Sequence, residues 1–337
     1  VLRIAAYELC TGGAAHGVVN DAVSSVAANK RTEKLKGLTN AVLRKVADKG
    51  PEEWVKLRVP RLPKWLRAPL SQAYGSESIG DIERVHFAGA PLDLTPKGDG
   101  KALAAAVNGT LLPTGSVRIK EAVQVSALAG YDEGEWWVQD AAAALPVTIL
   151  APQKGEEIID LCCAPGGKTM QLAASGAVVT AVDTSERRMQ RVHENLARAK
   201  LSAELIVGDA LETSGQYDAV LLDAPCSATG TIRRHPDLPL VKDGSEFGEL
   251  IELQAQMLAH AITLLKPGGR LVFCTCSLLP DEGECQVEDL LEIHPELEID
   301  RDALSVAGLD PSWITQEGGL RLRPDYWEQE GGMDGFY

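Results

Sequence analysis

Residues 158–169 read Ile158-Ile159-Asp160-Leu161-Cys162-Cys163-Ala164-Pro165-Gly166-Gly167-Lys168-Thr169. They begin with a short apolar run, typical of a buried strand, and a glycine pair follows before the next helical pattern. A glycine-rich turn between a strand and a helix lets a ligand approach the backbone at the helix N-terminus. The stretch therefore predicts a ligand-binding loop in an α/β domain.

Two common nucleotide-binding loops do not match this turn. A Walker A loop needs a glycine six residues before its lysine, and Cys162 stands at that position before Lys168. A dinucleotide loop needs three spaced glycines, whereas Gly166 and Gly167 are adjacent. The loop therefore disfavours both a P-loop nucleotidase and a nicotinamide oxidoreductase.

The region after residue 140 alternates between apolar runs and helical stretches, which predicts a doubly wound, mostly parallel sheet. The predicted strands are 158–162, 178–182, 204–207, 219–222 and 271–274. The clearest predicted helices are 185–200, with Ser185 as N-cap, and 249–266, stopped by Pro267-Gly268-Gly269.

Two aspartates stand near the ends of the second and third predicted strands, where ligands bind in such sheets. Asp183 is placed to accept both ribose hydroxyls of a nucleoside, and Asp209 to bond an adenine amino group. A nucleoside without a pyrophosphate is consistent with S-adenosylmethionine. The alternative is that each aspartate only caps a helix.

The fourth and fifth predicted strands are each followed by a cysteine. Residues 223–227 read Asp-Ala-Pro-Cys-Ser, and 275–277 read Thr-Cys-Ser. Neighbouring parallel strands would bring Asp223, Cys226 and Cys276 into one crevice. The alternative for any strand cysteine is inert core, which we expect for Cys274 and for Cys285 on the next helix. Zinc is disfavoured, because no pair of Cys-x-x-Cys knuckles exists, and we assign no metal.

Paired thiols suit one particular methyl transfer. Carbon 5 of a pyrimidine is a poor nucleophile, but a thiolate that adds to carbon 6 converts the ring into an enamine. A carboxylate near ring nitrogen 3 and the exocyclic amine would stabilise the addition. A second group must then remove the carbon 5 proton so that the thiol can leave.

The net charge of −15 conceals a basic segment at residues 30–67. That segment carries twelve basic and four acidic residues, or +8, which leaves −23 on the rest of the chain. Such asymmetry can mark a nucleic-acid-binding face, although a solvated helical surface is the alternative. We expect the segment, together with Arg233-Arg234, to contact phosphates.

Length and composition favour a folded protein of about two domains without a membrane-spanning helix. With 337 residues the chain is long enough for about two domains, and 45% hydrophobic residues exclude a disordered chain. The sequence contains no run of about 18 apolar residues, so no membrane-spanning helix is predicted. Seven cysteines, an odd number without a secreted framework, indicate free thiols in a reducing cytoplasm. Because residue 1 is Val1, we expect the chain to begin inside a domain.

The loop and the two cysteine motifs resemble the RNA 5-methylcytosine methyltransferases, specifically the bacterial RsmB/Sun branch with a NusB-like N-terminal domain. The resemblance also includes residues 229–237, 265–269, 334–337 and, for the NusB-like part, 36–44. It implies a class I methyltransferase domain at 139–337. Before it would come the C-terminal part of a NusB-like RNA-binding domain at 1–55 and a small α+β linker or RNA-binding module at 56–138. Independently of the resemblance, Pro51 and the stretch punctuated by Pro60, Pro63 and Pro69 predict a linker between the two.

The resemblance also implies roles for individual residues. Cys276 would be the nucleophile, Cys226 would assist product release, and Asp223 would face both the cytosine and the cofactor. The implied S-adenosylmethionine site is Cys162, Cys163, Ala164, Pro165, Gly166, Gly167, Lys168, Asp183, Asp209 and Asp223. The implied partner is 16S ribosomal RNA, and we expect a cytoplasmic monomer without membrane contact. The alternatives are a non-catalytic ribosome assembly factor, a tRNA cytosine methyltransferase, and a small-molecule or protein methyltransferase.

Overall fold

The apolar residues near the start of the chain are spaced for helices, and three helices form there. The computed structural model describes residues 1–337 and divides them into two units, Val1–Pro60 and Arg61–Tyr337. The helices of the first unit are α1 (Leu2–Cys10), α2 (Ala15–Ala27) and α3 (Lys36–Trp54). They bury Leu9, Val19 and Leu43 between them. The prediction of a helical N-terminal part is confirmed.

The prolines after residue 50 do not all lie in a linker, so that prediction is wrong in part. Pro51 lies in the last turn of α3, and Pro69 lies inside α4 (Lys64–Tyr74). A proline inside a helix removes one N–H donor. Leu66 and Leu70, both fully buried, hold α4 in place despite the missing donor.

The second unit begins with α4 and α5 (Ser76–Ala88) and continues into a small antiparallel sheet. Its strands are β1 (Leu92–Pro96), β2 (Thr110–Leu111), β3 (Val117–Ile119) and β4 (Trp136–Val138), in the order β2-β3-β1-β4, with α6 (Gly100–Ala106) between β1 and β2. Arg118 makes a bidentate, fully buried ion pair with Asp93 on the neighbouring strand, at 2.6 and 2.7 Å. This mixture of helices and strands agrees with the α+β module that the sequence predicts here.

A five-stranded parallel sheet follows, as predicted, in the order β7-β6-β5-β8-β9. Its strands are β5 (Glu157–Leu161), β6 (Val178–Asp183), β7 (Glu204–Val207), β8 (Tyr217–Asp223) and β9 (Leu265–Cys274). The helices around it are α7 (Ala141–Leu150), α8 (Gly167–Ala174), α9 (Glu186–Ala199), α10 (Leu238–Val241), α11 (Phe247–Thr263) and α12 (Glu284–Ile293). Apolar clusters lie on both faces of the sheet.

The stop predicted for α11 lies in a strand instead. The helix ends at Thr263, and Pro267, Gly268 and Gly269 belong to the start of β9. The register shifts there, because Tyr217 pairs with Leu265 while Ala219 pairs with Arg270. Gly268 has a φ of +78° at this irregularity, a conformation that favours glycine.

Residues 61–337 form one unit, so the boundary expected after residue 138 separates two sheets of the same unit. Arg233 helps to join its parts, because its fully buried side chain pairs with Asp140 before α7 and with Asp334 near the end of the chain. Arg233 is therefore not available to contact phosphate, so that expectation is wrong for Arg233, whereas the neighbouring Arg234 is 39% exposed and pairs with Asp334. No helix in residues 1–337 has the length and apolar character required to cross a membrane.

We predict that Arg233→Met lowers the free energy of unfolding by about 3–5 kcal/mol, because the buried Asp140 then loses its ion-pair partner and Asp334 keeps only Arg234. Urea denaturation measures this change. Arg84→Met is the control: it removes an arginine whose side chain is 52% exposed and which pairs with Asp81, so it should change the free energy by less than about 1 kcal/mol. Equal effects of the two substitutions would contradict the role given to Arg233.

Candidate active site

The two cysteine loops leave the same edge of the sheet. β8 and β9 are parallel neighbours, and their last register pair places Asp223 opposite Cys274. The chain then continues on each side to Cys226 and Cys276, whose sulfur atoms lie 3.4 Å apart. Both thiols are partly buried. The sheet thus brings together the two cysteines that the motifs singled out.

Asp223, the last residue of β8, begins the loop that carries Cys226 and is held by Lys168 in the first turn of α8. Lys168 Nζ donates to Asp223 Oδ2 at 2.8 Å and lies 5.0 Å from the centre of the Phe336 ring. Burial lowers the pKa of Lys168, but the Asp223 carboxylate and the nearby thiols raise it more, so its pKa is above the ordinary value. The site therefore holds a buried Lys168 ammonium that pairs with a partly exposed Asp223 carboxylate, close to the thiols of Cys274 and Cys276.

Cys274 and Cys285, both expected to be buried core residues, differ in their exposure. Cys274 is buried in the core, as expected, with Sγ 3.6 Å from Asp223 Oδ1, and burial raises its pKa. Cys285, at the start of α12, is exposed rather than buried, so that expectation is wrong. It lies on the outer face of a surface helix, which helical spacing alone did not reveal.

The glycine-rich loop passes over the ends of β5 and β6. Cys162 adopts a φ of +63° and Gly166 one of +99°. A Cβ at Gly166 would come within 3.1 Å of Val192, so glycine is needed there for space as well as for conformation. Burial raises the pKa of the Cys162 thiol to about 12 and also raises that of Cys163, so both thiols are neutral.

The two strand-end aspartates have different surroundings. Asp183 ends β6, as predicted, and is buried, with its oxygens accepting from Ala164 N at 3.2 Å and Ser185 N at 2.9 Å. Asp209 is exposed, two residues beyond β7, and accepts from Leu211 N at 2.9 Å. Asp209 therefore caps a short helical turn, which is the alternative that the sequence left open for it.

Asp160 in β5 is a polar residue of the site to which the sequence analysis gave no role. Its Oδ2 accepts from Thr169 Oγ1 at 2.6 Å, while its Oδ1 is buried without a partner. Burial raises the pKa of this carboxyl from 3.8 to about 7, even though the Thr169 bond lowers it. An acid inside the apolar run 158–161 was the signal that could have identified it.

Comparison with known proteins places the chain in a family. A family model described as 16S rRNA methyltransferase RsmB/F matches residues 147–337, and the NusB family model matches residues 1–48. The chain belongs to the RsmB/F family of 16S rRNA methyltransferases. As a member of that family it is a methyltransferase with S-adenosylmethionine as its cofactor.

Individual relatives agree with this family. Ribosomal RNA small subunit methyltransferase B of Erwinia tasmaniensis is 35% identical over all of this chain and 80% of its own length. The protein of that name from Cronobacter sakazakii is 44% identical over 64% of this chain but only 50% of its own length. A crystal structure of a methyltransferase homologue from Pyrococcus horikoshii matches with a TM-score of 0.63 at 25% identity, covering 80% of this chain and 91% of that one.

The residues at the loop fit S-adenosylmethionine. The unpaired Oδ1 of Asp160 is a buried acceptor that nothing in the protein satisfies. The glycine pair leaves the backbone of residues 164–167 without side chains larger than Pro165. Carboxylates at the ends of β6 and β8 supply further acceptors, Asp183 and Asp223. A cationic ligand with hydroxyl and amino donors matches this set of acceptors.

We predict that Asp160 makes the stability of the protein without cofactor depend on pH. Its pKa is raised in the folded state, so protonation stabilises that state, and the contribution disappears as pH rises through about 7. The free energy of unfolding of the parent, minus that of Asp160→Asn, should therefore fall between about pH 4 and pH 8. Urea titrations across this range measure the difference.

Asp132→Asn, which removes an exposed carboxylate, is the matched control and should give a nearly constant difference. A difference for Asp160→Asn that does not change with pH would contradict the raised pKa.

Proposed function

We propose that this chain methylates carbon 5 of a cytosine in 16S ribosomal RNA through a transient bond between Cys276 and the base. The observation that carries this proposal is the 3.4 Å approach of the Cys226 and Cys276 sulfurs beside Asp223. Methyl transfer to an amine or a carboxylate needs no thiol, whereas carbon 5 of cytosine needs a nucleophile at carbon 6. Family membership supports ribosomal RNA as the substrate.

Cys276 begins the proposed reaction. Its thiolate adds to carbon 6, so a carbon–sulfur bond forms and the electron pair of the 5,6 double bond moves to activate carbon 5. Asp223 accepts from the exocyclic amine, and the Lys168 ammonium, 2.8 Å from Asp223 Oδ2, holds that carboxylate in place. When bound, S-adenosylmethionine supplies the electrophilic methyl group that carbon 5 takes up.

Cys226 has the properties of the second group. A hydrogen bond with Cys276, followed by burial, raises the pKa of Cys226 well above its ordinary value. We assign the role of nucleophile to Cys276, as the family resemblance implies, and the retained proton to Cys226. Once Cys276 is bonded to carbon 6, that hydrogen bond no longer opposes ionisation. Cys226 can then lose its proton to solvent, remove the carbon 5 proton and allow the electron pair to expel Cys276.

The cofactor site that we propose is the loop of residues 162–168 with Asp183, Asp209 and Asp223. The buried contact of Asp183 with Ala164 N fixes the loop against β6, so removal of that carboxylate would loosen the loop as well. Asp209, being exposed and bonded to one backbone N–H, retains free acceptor sites.

The basic segment is the surface that we propose for RNA. Lys34, in the short 3-10 turn before α3, and Lys36, the first residue of α3, are both exposed in the first unit. Phosphates on RNA favour such exposed cations, and their binding releases counterions. We further propose that the enzyme works as a monomer in the cytoplasm, which suits seven unpaired thiols.

We predict that removal of each thiol blocks a different step of the reaction. Cys276→Ala removes the nucleophile, so neither methylated RNA nor a covalent complex should form, and turnover should fall by about 10²-fold or more. Cys226→Ala leaves attack and methyl transfer intact but blocks release. It should accumulate as a protein–RNA adduct, seen as a shifted band on a denaturing gel when S-adenosylmethionine is present.

The control is Cys285→Ala, which removes an exposed thiol and should leave turnover unchanged. If Cys276→Ala traps RNA and Cys226→Ala does not, the two roles are reversed. If both variants keep full turnover, the covalent mechanism is wrong.

We predict that RNA affinity falls steeply with salt in spite of the net charge of −15. Charge reversal at Lys34 and Lys36 should reduce the slope of log affinity against log salt by about 1 for each phosphate that the variant no longer binds. Filter binding at several salt concentrations measures the slope. Lys101→Glu with Lys154→Glu imposes the same change of charge on exposed lysines of the second unit and should affect the slope less. Equal effects would mean that residues 30–67 are only a solvated surface.

A further inference from the structure

A buried carboxylate lies behind the two thiols and plays no part in the proposed chemistry. Glu282 follows β9 and is fully buried. Its Oε1 accepts from Ser227 N at 2.8 Å and from Gln254 Nε2 at 3.1 Å. Its Oε2 accepts from the hydroxyls of Ser227 and Ser277, each at 2.5 Å. One carboxylate therefore receives four hydrogen bonds.

The two serines that bond to Glu282 are the chain neighbours of the two thiols. Ser227 follows Cys226 directly in the chain, and Ser277 follows Cys276. Glu282 thus bonds to the residue after each thiol, although β8 and β9 carry the two loops separately. Its own carbonyl also accepts from Thr275 Oγ1 at 2.7 Å, on the other side of Cys276.

The hydroxyl protons in this network have defined orientations. Because the carboxylate can only accept, the hydroxyl protons of Ser227 and Ser277 both point toward Glu282. Their remaining lone pairs then face Thr229, whose Oγ1 lies 3.1 and 3.2 Å from the two serine oxygens. Thr229 Oγ1 in turn accepts from Leu278 N at 2.9 Å. With an amide in place of the carboxylate, the NH2 group would face two of the four donors, so two of these bonds would be reversed or lost.

Glu282 makes no ion pair in the structure, although several neighbouring carboxylates do. A buried carboxylate without a cation is costly, and only its hydrogen bonds offset that cost. A purely structural contact between two loops could be made by apolar side chains. The charge therefore strengthens four bonds, three of which end on the residues that follow the two thiols.

We propose that Glu282 is a positioning residue that fixes the distance between Cys226 and Cys276. This inference rests on the proposed function, because attack by one thiol and release by the other require both sulfurs to reach one base. Removal of the carboxylate should let the loops separate, while the cofactor loop, which Glu282 does not touch, stays intact.

The direct test measures the distance between the thiols without using RNA. Diamide takes two electrons and two protons from two adjacent thiols and becomes a hydrazine, while a sulfur–sulfur bond forms between them. We expect Glu282→Gln to form the Cys226–Cys276 disulfide several-fold more slowly than the parent, as followed by peptide mass spectrometry. A rate equal to or above that of the parent would overturn the proposal.

The matched control is Glu83→Gln, another buried carboxylate changed to an amide. Glu83 accepts from Leu62 N and Arg67 Nε, each at 2.8 Å, and does not touch either thiol loop. It should lower stability and leave the disulfide rate unchanged. If Glu282→Gln does not fold, Ser277→Ala is the second variant, because it removes one hydrogen bond to Glu282. It should slow formation of the Cys226–Cys276 disulfide to a smaller extent. An unchanged rate in this variant would also overturn the proposal.

Kinetics then separates positioning from general disruption of the structure. For Glu282→Gln we expect kcat to fall about 10²-fold, with the KM for RNA and the affinity for S-adenosylmethionine unchanged. A lower kcat together with a higher KM for RNA and a weaker affinity for S-adenosylmethionine would indicate a structural role only. If Cys276→Ala keeps full turnover, the proposed function fails, but the diamide result still decides whether Glu282 sets the distance between the thiols.

Discussion

The last register pair of β8 and β9 sets Asp223 opposite Cys274, and the geometry of the site follows from that pairing. Parallel strands end at the same edge of a sheet, so the strand pairing itself brings a carboxylate and two thiols on separate loops together. A slip of one residue would turn Asp223 to the other face of the sheet. The register also explains the irregular start of β9, where Gly268 accommodates the shift.

Much of this arrangement could be predicted from the sequence, because strand ends are easy to recognise in a doubly wound fold. The apolar runs located all five strands, and Asp183 and Asp223 end β6 and β8 as expected. Ser185 caps α9, accepting from Arg188 N, as its position before a helical pattern suggested. These features depend on local residue order, which a single sequence displays directly.

Features that depend on long-range packing could not be predicted in the same way. Two adjacent arginines are usually exposed, which favours a phosphate contact, yet Asp140 and Asp334 enclose Arg233 from distant parts of the chain. Glu282 gives no local signal for the same reason, because its partner Ser227 lies 55 residues earlier. Prolines usually break helices, but burial around α4 outweighs that local preference at Pro69.

The central claim is that methyl transfer occurs at carbon 5 of cytosine, and the fate of the hydrogen on that carbon tests it most directly. Ribosomal RNA labelled with tritium at carbon 5 of cytosine would be incubated with the protein and S-adenosylmethionine. If carbon 5 is the methylated atom, tritium is released to water in a one-to-one ratio with methyl groups incorporated. Methyl incorporation without tritium release would place the methyl group on another atom and exclude methylation at carbon 5.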